Sequence, residues 1–278
     1  MDALLPPDMA QKAESVGVTK ATMAPLKMFA LAVLAGAFIA LGAIFATTVA
    51  AGSTLPYGLT RLLVGTVFSL GLVLVIVGGA ELFTGNNLVV MAWASGRVST
   101  RQLLQGWAIV YLGNLVGSVG TALLNLGALQ YTHGGGSVGV AALRIAEAKC
   151  LLGFGEAVFL GILCNALVCL AVWMSFSART TTDRVMAIVP PIAAFVAVGY
   201  EHSVANMFFV PMGLLIKETA PASFWQGAAG MSPESLGALT LPAFLLNNLL
   251  PVTIGNIIGG VVLVGLVYWA VYLRERAS

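Results

Sequence analysis

The chain has 278 residues, of which 59% are hydrophobic and only 9% charged, and its mean hydropathy is +0.97. Soluble globular domains carry about 25% charged residues, so this composition excludes an ordinary soluble protein and predicts a polytopic membrane protein without a separate soluble domain. The net charge of +2 gives no indication of a nucleic-acid partner. The composition instead predicts that the lipid bilayer surrounds the protein.

The first 27 residues are polar, and they lack the short apolar core and cleavage site of a signal peptide. Two interpretations of residues 1–27 remain open. The segment forms a short amphipathic helix on the cytoplasmic surface of the membrane, or it is a frayed tail.

Six apolar segments are long enough, or nearly so, to cross the hydrocarbon core of a bilayer, which takes about 20 residues. The second is interrupted by ELFTGNN (81–87) and the fifth by EHSVAN (201–206). We therefore predict an all-α polytopic membrane protein with six transmembrane helices, in which helices 2 and 5 are broken. The predicted spans are 28–51, 62–80 continued by 88–95, 103–130, 150–176, 185–200 continued by 207–216, and 241–272.

The basic residues predict the orientation of these spans. With the N-terminus inside, four basic residues face outward and nine face the cytoplasm, which favours both termini inside and makes residues 273–278 a cytoplasmic tail. The outward residues are Arg61, Arg144, Lys149 and Lys217. The cytoplasmic ones are Lys12, Lys20, Lys27, Arg97, Arg101, Arg179, Arg184, Arg274 and Arg276.

An internal repeat relates the two interrupted segments. GAELFTGN (79–86) and GYEHSVAN (199–206) share the pattern G-x-E-x-x-x-x-N. The third and sixth spans share G-N-apolar-apolar-G, which aligns Asn114 with Asn256, whereas the first and fourth spans match weakly. Chance recurrence of a small-residue packing motif explains the glycines but not two matched breaks.

Each half of this repeat contains three spans, so the second half enters the membrane from the opposite face. The transmembrane domain, residues 28–272, is thus predicted to be an inverted 3+3 repeat, with halves at about 28–130 and 150–272. In such folds the functional site lies near the midplane, where the broken helices meet.

Few ionisable residues lie inside the spans, and such residues are functional candidates by default. Glu81 and Glu201 mirror the two breaks, so we interpret them as structural residues that cap freed backbone N–H groups, together with Asn86 and Asn206 of the same motif. Glu156 is open to two interpretations, contact with a helix end or with a neighbouring subunit.

His202 has no counterpart in the repeat, since Leu82 holds the matching position. A lone histidine is often a satisfied core residue, but at a break beside a cavity its ability to gain or lose a proton near neutral pH favours function. Thr84 of the other break is its predicted hydrogen-bond partner. Asn165 and Asn256 either line the path or bond helix to helix.

Large apolar side chains flank both breaks, and they have two interpretations. They are ordinary packing residues, or they form apolar constrictions that exclude hydrated ions. The residues concerned are Phe68, Leu72, Phe83 and Phe195.

The three cysteines and the second histidine suggest no metal site. Cys150, Cys164 and Cys169 are odd in number and lack metal-ligand spacing, so we interpret them as packing residues. His133 lies in the Gly-rich stretch YTHGGGSVG (131–139) and is expected to be a solvated loop residue. We expect no metal and no cofactor.

LFTGNN, EHSVANMF and GNIIGG, set in a broken-helix repeat, resemble the formate/nitrite transporter family. The resemblance covers nearly the whole chain. It implies an aquaporin-like fold, a homopentamer with one pore in each protomer, a bacterial inner-membrane location and passage of small monovalent anions of weak acids, chiefly formate.

The resemblance also implies roles for individual residues. His202 corresponds to the central pore histidine and Thr84 to the threonine beside it. Lys149 corresponds to a basic residue of the outer vestibule, Asn165 and Asn256 to pore-facing amides, and the N-terminal segment to a part that responds to pH. The constrictions correspond to Phe68, Leu72, Phe83 and Phe195.

A transport mechanism follows as a hypothesis. An ion is expensive to desolvate at an apolar constriction, so His202 either hands a proton to the anion or stays hydrogen-bonded to it during passage. Nitrite and hydrosulfide are alternative substrates of the same pore. An intramembrane hydrolase using His202 and Ser203 is disfavoured, because adjacent residues of a helix project in different directions.

Overall fold

The protein, seen in a computed structural model, is described for residues 3–228 and 230–274. Within these ranges six helices are long and apolar enough to cross a membrane, which confirms the prediction of an all-helical, multi-pass membrane protein. Of the predicted tail, residues 275–278, including Arg276, lie outside the described residues. The helices are span 1 (Pro25–Ala50), span 2 (Tyr57–Gly78), span 3 (Thr100–Gly127), span 4 (Phe154–Ser177), span 5 (Thr181–Val198) and span 6 (Leu241–Tyr272).

Spans 2 and 5 end just before the residues predicted to interrupt them, but the second interruption is shorter than predicted, because residues 203–206 are helical. Span 2 ends at Gly78 and span 5 at Val198, and each is followed by a glycine with positive φ: +76° at Gly79 and +91° at Gly199. A left-handed residue at this position ends a helix, and glycine adopts that conformation without strain. The first glycine of the repeated G-x-E-x-x-x-x-N pattern therefore terminates each helix.

The chain resumes helical structure after each break. We call residues 79–84 the first break and residues 199–202 the second break. The first is followed by a 3₁₀ turn at Gly85–Val89 and a short α-helix at Val90–Ala94, and the second by a long α-helix at Ser203–Thr219.

The polar N-terminal segment contains a helix, Pro6–Ala21, which we call the N-terminal helix. Small and apolar residues recur on one of its faces, and Met9, Ala10 and Ala13 pack in a buried cluster with Met91 and Trp173 of the bundle. Of the two interpretations left open, the contacts favour a helix over a frayed tail. The apolar face of this helix packs against the helical bundle of the protein.

The helix Ser137–Cys150 was not predicted. It begins within the Gly-rich stretch 131–139, where a loop was expected, and it precedes span 4. Gly136, with a φ of +89°, lets the chain reverse just before it. The remaining short helical segments are Gln130–Thr132 and Ala222–Gln226, and span 6 contains two wider π-helical stretches, Phe244–Leu249 and Gly259–Leu266.

Glycines bring the helices of each half to backbone contact. A β-carbon at Gly117 of span 3 would overlap the carbonyl oxygen of Val33 in span 1. One at Gly259 of span 6 would overlap the carbonyl oxygen of Ile162 in span 4. Small residues permit this close approach of helices in membranes. Span 1 therefore pairs with span 3 as span 4 pairs with span 6.

Candidate functional site

An asparagine from span 3 holds the first break. Asn114 Oδ1 accepts a hydrogen bond from the Phe83 N–H at 2.9 Å, and its Nδ2 donates to the carbonyl oxygens of Ala32 at 2.8 Å and Glu81 at 2.9 Å. Backbone groups released by a helix break must be satisfied inside the protein at membrane depth. A single amide side chain does this for two of them, the Phe83 N–H and the Glu81 carbonyl, while its bond to Ala32 ties the break to span 1.

Asn256 of span 6 performs the same task at the second break. Its Oδ1 accepts from the Ser203 N–H at 2.9 Å, and its Nδ2 donates to the carbonyl oxygens of Gly161 at 2.9 Å and Glu201 at 3.0 Å. The residues matched by the sequence repeat, Asn114 and Asn256, therefore also form matching sets of hydrogen bonds. The inverted orientation of the two halves in the membrane stays a prediction.

The glutamates of the breaks have other partners than expected. We predicted that their carboxylates cap freed backbone N–H groups, but Glu81 Oε2 accepts from Lys20 Nζ at 2.8 Å and from Asn86 Nδ2 at 2.7 Å. Asn114 has already satisfied the backbone, and a buried carboxylate is stabilised best by a cation and further donors. Lys20 belongs to the N-terminal helix, so this ion pair joins that helix to the first break.

Glu201 forms the matching cluster at the second break. Its Oε1 accepts from Lys149 Nζ at 2.8 Å, and its Oε2 accepts from Asn206 Nδ2 at 2.6 Å and Asn248 Nδ2 at 3.1 Å. Lys149 lies at the end of the helix Ser137–Cys150, outside the repeat pattern. The asparagines of both motifs therefore bind the carboxylates.

One cavity adjoins each break. The first-break cavity has a volume of about 280 Å³, and the second-break cavity about 360 Å³. The first is lined at the break by Lys20, Glu81, Leu82 and Asn86, and by Leu72 of span 2. The second is lined by Arg61, Phe68, Lys149, Phe195, Glu201 and His202.

His202 and Thr84 connect the two breaks. Thr84 Oγ1 lies 2.9 Å from His202 Nε2, so the hydrogen bond predicted between them is present, and both side chains are buried. The Ala205 N–H donates to His202 Nδ1 at 3.0 Å. Because Nδ1 accepts this bond, the neutral ring carries its proton on Nε2 and donates it to Thr84.

Aromatic rings enclose the imidazole on the second-break side. The ring of Phe195 stacks on His202 with centroids 5.9 Å apart, and Phe68 packs edge-on against Phe195 at 5.8 Å. Both phenylalanines are nearly fully buried and line the second-break cavity. The part of the cavity wall next to the imidazole is therefore apolar.

Two residues near the first break differ from the prediction in where they lie. Phe83, expected at a constriction, lines neither break cavity, and its ring packs edge-on against Tyr111 with centroids 4.9 Å apart. The bond from its N–H to Asn114 fixes its backbone against span 3. Its neighbour Leu82, which sequence analysis treated only as the counterpart of His202, lines the first-break cavity with Leu72.

The amides expected to face the pore are fully buried between helices. Asn165 Nδ2 donates to the Asn256 carbonyl oxygen at 2.7 Å, to Asn87 Oδ1 at 2.9 Å and to the Thr84 carbonyl oxygen at 3.3 Å. Neither Asn165 nor Asn256 lines a break cavity. The contacts match the helix-to-helix alternative.

Sequence reasoning missed a functional candidate in span 2. Arg61 lines the second-break cavity, and its guanidinium donates to the carbonyl oxygens of Val196 and Ala197, at the C-terminal end of span 5. A cation at this position stabilises the negative end of the helix dipole. The available signal was an arginine within an otherwise apolar span.

The remaining candidates are His133, Glu156 and the cysteines, of which Cys169 contacts the first break through its Sγ, 3.4 Å from the Thr84 carbonyl oxygen. His133 is exposed, and Glu156 accepts a bond from the Gly153 N–H at 3.4 Å, so it contacts the end of its own helix. Among residues 3–228 and 230–274 no group of three His, Cys, Asp or Glu side chains could hold a metal ion. The free, buried cysteines are Cys150, Cys164 and Cys169.

Comparison with known proteins decides the family. The profile described as "Formate/nitrite transporter" matches residues 7–270. The chain belongs to the formate/nitrite transporter family. This confirms the resemblance seen in the motifs.

Named relatives of this family cover almost the full chain. "Formate channel FocA" of Escherichia coli strain K12 is 50% identical over 276 residues, which is 99% of this chain and 96% of the relative. "Formate channel FocA" of Haemophilus influenzae is 42% identical over 95% of this chain and 93% of the relative. The relatives are named as channels or transporters.

Solved structures of the family share the fold. A "Pentameric formate channel with formate bound" superposes with a TM-score of 0.85 at 47% identity, covering 90% of this chain and 98% of that one. An "FNT family ion channel" superposes with a TM-score of 0.77 at 34% identity, covering 95% and 98%.

Proposed function

We propose that this protein is a membrane channel that passes formate and related small monovalent anions of weak acids. The proposal rests on family membership, on the 50% identical formate channel and on the structural neighbour that holds formate. We further propose a homopentamer with one pore in each protomer, in the bacterial inner membrane, with both termini cytoplasmic.

The observation that carries the proposal is the contact between the two breaks. His202 lies on the wall of the second-break cavity and is hydrogen-bonded across to Thr84 of the first break. A titratable group in an apolar enclosure is suited to a solute that exists as an anion or as a neutral acid. Packing alone requires neither the histidine nor its polar partner.

The hydrogen bonds of His202 constrain how it handles a proton. Its neutral ring has only the Nε2 proton to give, and loss of that proton from neutral imidazole is strongly unfavourable. A second proton must first bind at Nδ1, and Nδ1 must then release the Ala205 N–H. Proton uptake is therefore coupled to loss of that contact, whether the anion takes the proton or passes bound to the charged ring.

Substrate chemistry explains why such a group is useful. Formic acid is a carboxylic acid, comparable to side chains that titrate near about 4, so its neutral form is rare at neutral pH. Desolvation of the anion opposes its passage along the wall formed by Phe68 and Phe195. A proton supplied at His202 removes that penalty.

The first experiment is flux in proteoliposomes that contain an internal pH dye. The native protein and His202→Phe are compared under gradients of formate, nitrite and hydrosulfide. We expect fast formate flux with accompanying proton movement in the native protein, and loss of both in His202→Phe. Equal flux in the two proteins would remove His202 from the mechanism.

A matched control comes from the second histidine of the chain. His133→Phe makes the same substitution at an exposed loop position, and we expect native flux from it. Nitrite or hydrosulfide flux without formate flux would keep the channel and replace its substrate. Nitrite and hydrosulfide are the alternative substrates, because both are also anions of weak acids.

An intramembrane hydrolase fits the contacts poorly. Ser203 Oγ has no hydrogen-bond partner among the described residues, and the ring nitrogens of His202 contact Thr84 and the Ala205 N–H. A serine nucleophile needs a base within hydrogen-bond reach.

A further inference from the structure

The first-break cavity contains more positive charge than its ion pair accounts for. Three cationic side chains, Lys12, Lys20 and Arg184, and one carboxylate, Glu81, line it. Lys20 is paired with Glu81 at 2.8 Å. Lys12 and Arg184 remain, and within the described parts of the chain neither forms an ion pair with a carboxylate.

Lys12 is held in place by a neutral partner only. Its Nζ donates to the carbonyl oxygen of Phe176 at 3.1 Å, near the end of span 4. Burial, together with the positive charges of Arg184 and Arg179, lowers the pKa of Lys12 from its ordinary value. The protein therefore keeps a half-buried ammonium beside like charges, which is unfavourable unless a negative group is also present.

Arg184 faces the same cavity from the first turn of span 5. It is half-buried, and among residues 3–228 and 230–274 no hydrogen bond or ion pair involves its guanidinium. A guanidinium presents paired N–H donors that match the two oxygens of a carboxylate. An arginine with all its donors available, in a cavity of about 280 Å³, is arranged to receive such an anion.

We infer that Lys12 and Arg184 form an anion-binding site in the first-break cavity that takes a small monovalent carboxylate. The choice of carboxylate rests on the proposed function, while the positive charge of the site does not. Lys12 belongs to the N-terminal helix and Arg184 to span 5, so a bound anion joins these two elements. Anion binding should then stabilise the docking of the N-terminal helix.

The test measures amide hydrogen exchange in the full-length protein in lipid nanodiscs. Sodium formate is titrated at constant ionic strength by replacing sodium gluconate, a bulkier carboxylate. We expect exchange across Pro6–Ala21 to slow with formate and to saturate. Lys12→Gln and Arg184→Gln should each raise the half-saturating formate concentration by about fivefold or more, because each removes one charged partner of the anion.

Matched controls remove the same charge elsewhere. Lys27→Gln and Arg101→Gln change exposed basic residues that line neither break cavity, so the half-saturating concentration should stay native. Lys12→Arg and Arg184→Lys keep the positive charge, so formate should still slow exchange to a saturating level. Their result shows whether an effect of the glutamine variants comes from the lost charge or from a folding defect. No formate-dependent protection in the native protein, or equal shifts in the control variants, would overturn the site.

Flux separates this inference from the proposed function. If native proteoliposomes carry formate but the N-terminal helix exchanges equally with and without it, the site is wrong and the channel stands. If formate protects the helix with the expected variant pattern but no flux occurs, the site stands and the channel is wrong.

Discussion

His202 has two hydrogen-bond partners, one at each ring nitrogen. Its Nδ1 accepts the Ala205 N–H and so caps the helix Ser203–Thr219, while its Nε2 donates to Thr84. A side chain that accepts a bond from the third residue of a helix satisfies one of the free N–H groups there. One residue thus combines a helix cap with a titratable group, so its substitution affects stability and transport together.

Two substitutions separate these effects. Asparagine is a favoured N-cap, so His202→Asn should keep the cap and the native thermal stability while losing proton-coupled flux. His202→Leu should lose the flux and also about 1 kcal/mol of stability with the cap. Thermal unfolding in detergent and dye-monitored flux measure the two properties. A native proton-coupled flux in His202→Asn would show that the ring's protonation is irrelevant.

Asn114 and Asn256 show that the repeat operates at the level of helices. Each spans a gap between three elements, with its Oδ1 on a break and its Nδ2 on a neighbouring span and on the glutamate's carbonyl. The broken helices keep their shape because an intact helix of the same half satisfies them. The glutamates, by contrast, join each break to an element outside the repeat pattern.

Leucine at either position should destabilise the protein to a similar extent. Asn114→Leu and Asn256→Leu each leave two buried backbone groups of a break unpaired, one N–H and one carbonyl, and each such group costs about 1–3 kcal/mol, so the total loss should reach a few kcal/mol. Asn125→Leu is the control, because within the described residues that half-buried amide on span 3 donates only long hydrogen bonds, of 3.3 Å to Gln130 and 3.9 Å to Met212. Detergent melting temperatures of the three variants give the comparison. A large difference between the first two would contradict equivalent roles.

The whole molecule depends on helices in backbone contact within each half. Gly117 against Val33 and Gly259 against Ile162 are equivalent contacts, and neither leaves room for a β-carbon. Interiors packed this closely respond to one added methyl group. Glycine is thus required by packing at these two positions.

Alanine substitutions within span 3 test this requirement. Gly117→Ala should lower stability by about 1–3 kcal/mol or more, because the new methyl group meets a backbone carbonyl that cannot rotate away. Gly120→Ala, one turn along the same helix, has open space around it and should be neutral or slightly stabilising. Temperature-dependent loss of the folded peak in size-exclusion chromatography reports both. Equal melting of the two variants would contradict the packing argument.

The spans and both breaks were predictable from the sequence, because apolar length and the G-x-E-x-x-x-x-N motif are local patterns. The Thr84–His202 bond was predictable only because the repeat relates the two breaks and places one of these residues on each. The partners Lys20 and Lys149 were not. They come from the N-terminal helix and from Ser137–Cys150, two elements with no equivalence in the repeat. The helix Ser137–Cys150 was itself missed, because a Gly-rich stretch before it indicates a loop.

By itself the sequence determined that this is a six-span membrane protein with two equivalent helix breaks. Apolar segments and helix-ending glycines affect only the structure of residues close to them in the chain, so a reader of the sequence can recognise them. Only the tertiary structure decided which groups each break contacts. It turned Phe83 toward Tyr111, left Leu82 on the cavity wall, and brought Lys12 and Arg184 to one cavity in which the described carboxylate, Glu81, is paired with Lys20. Such contacts join residues far apart in the chain, so helix packing determines them and no local pattern records them.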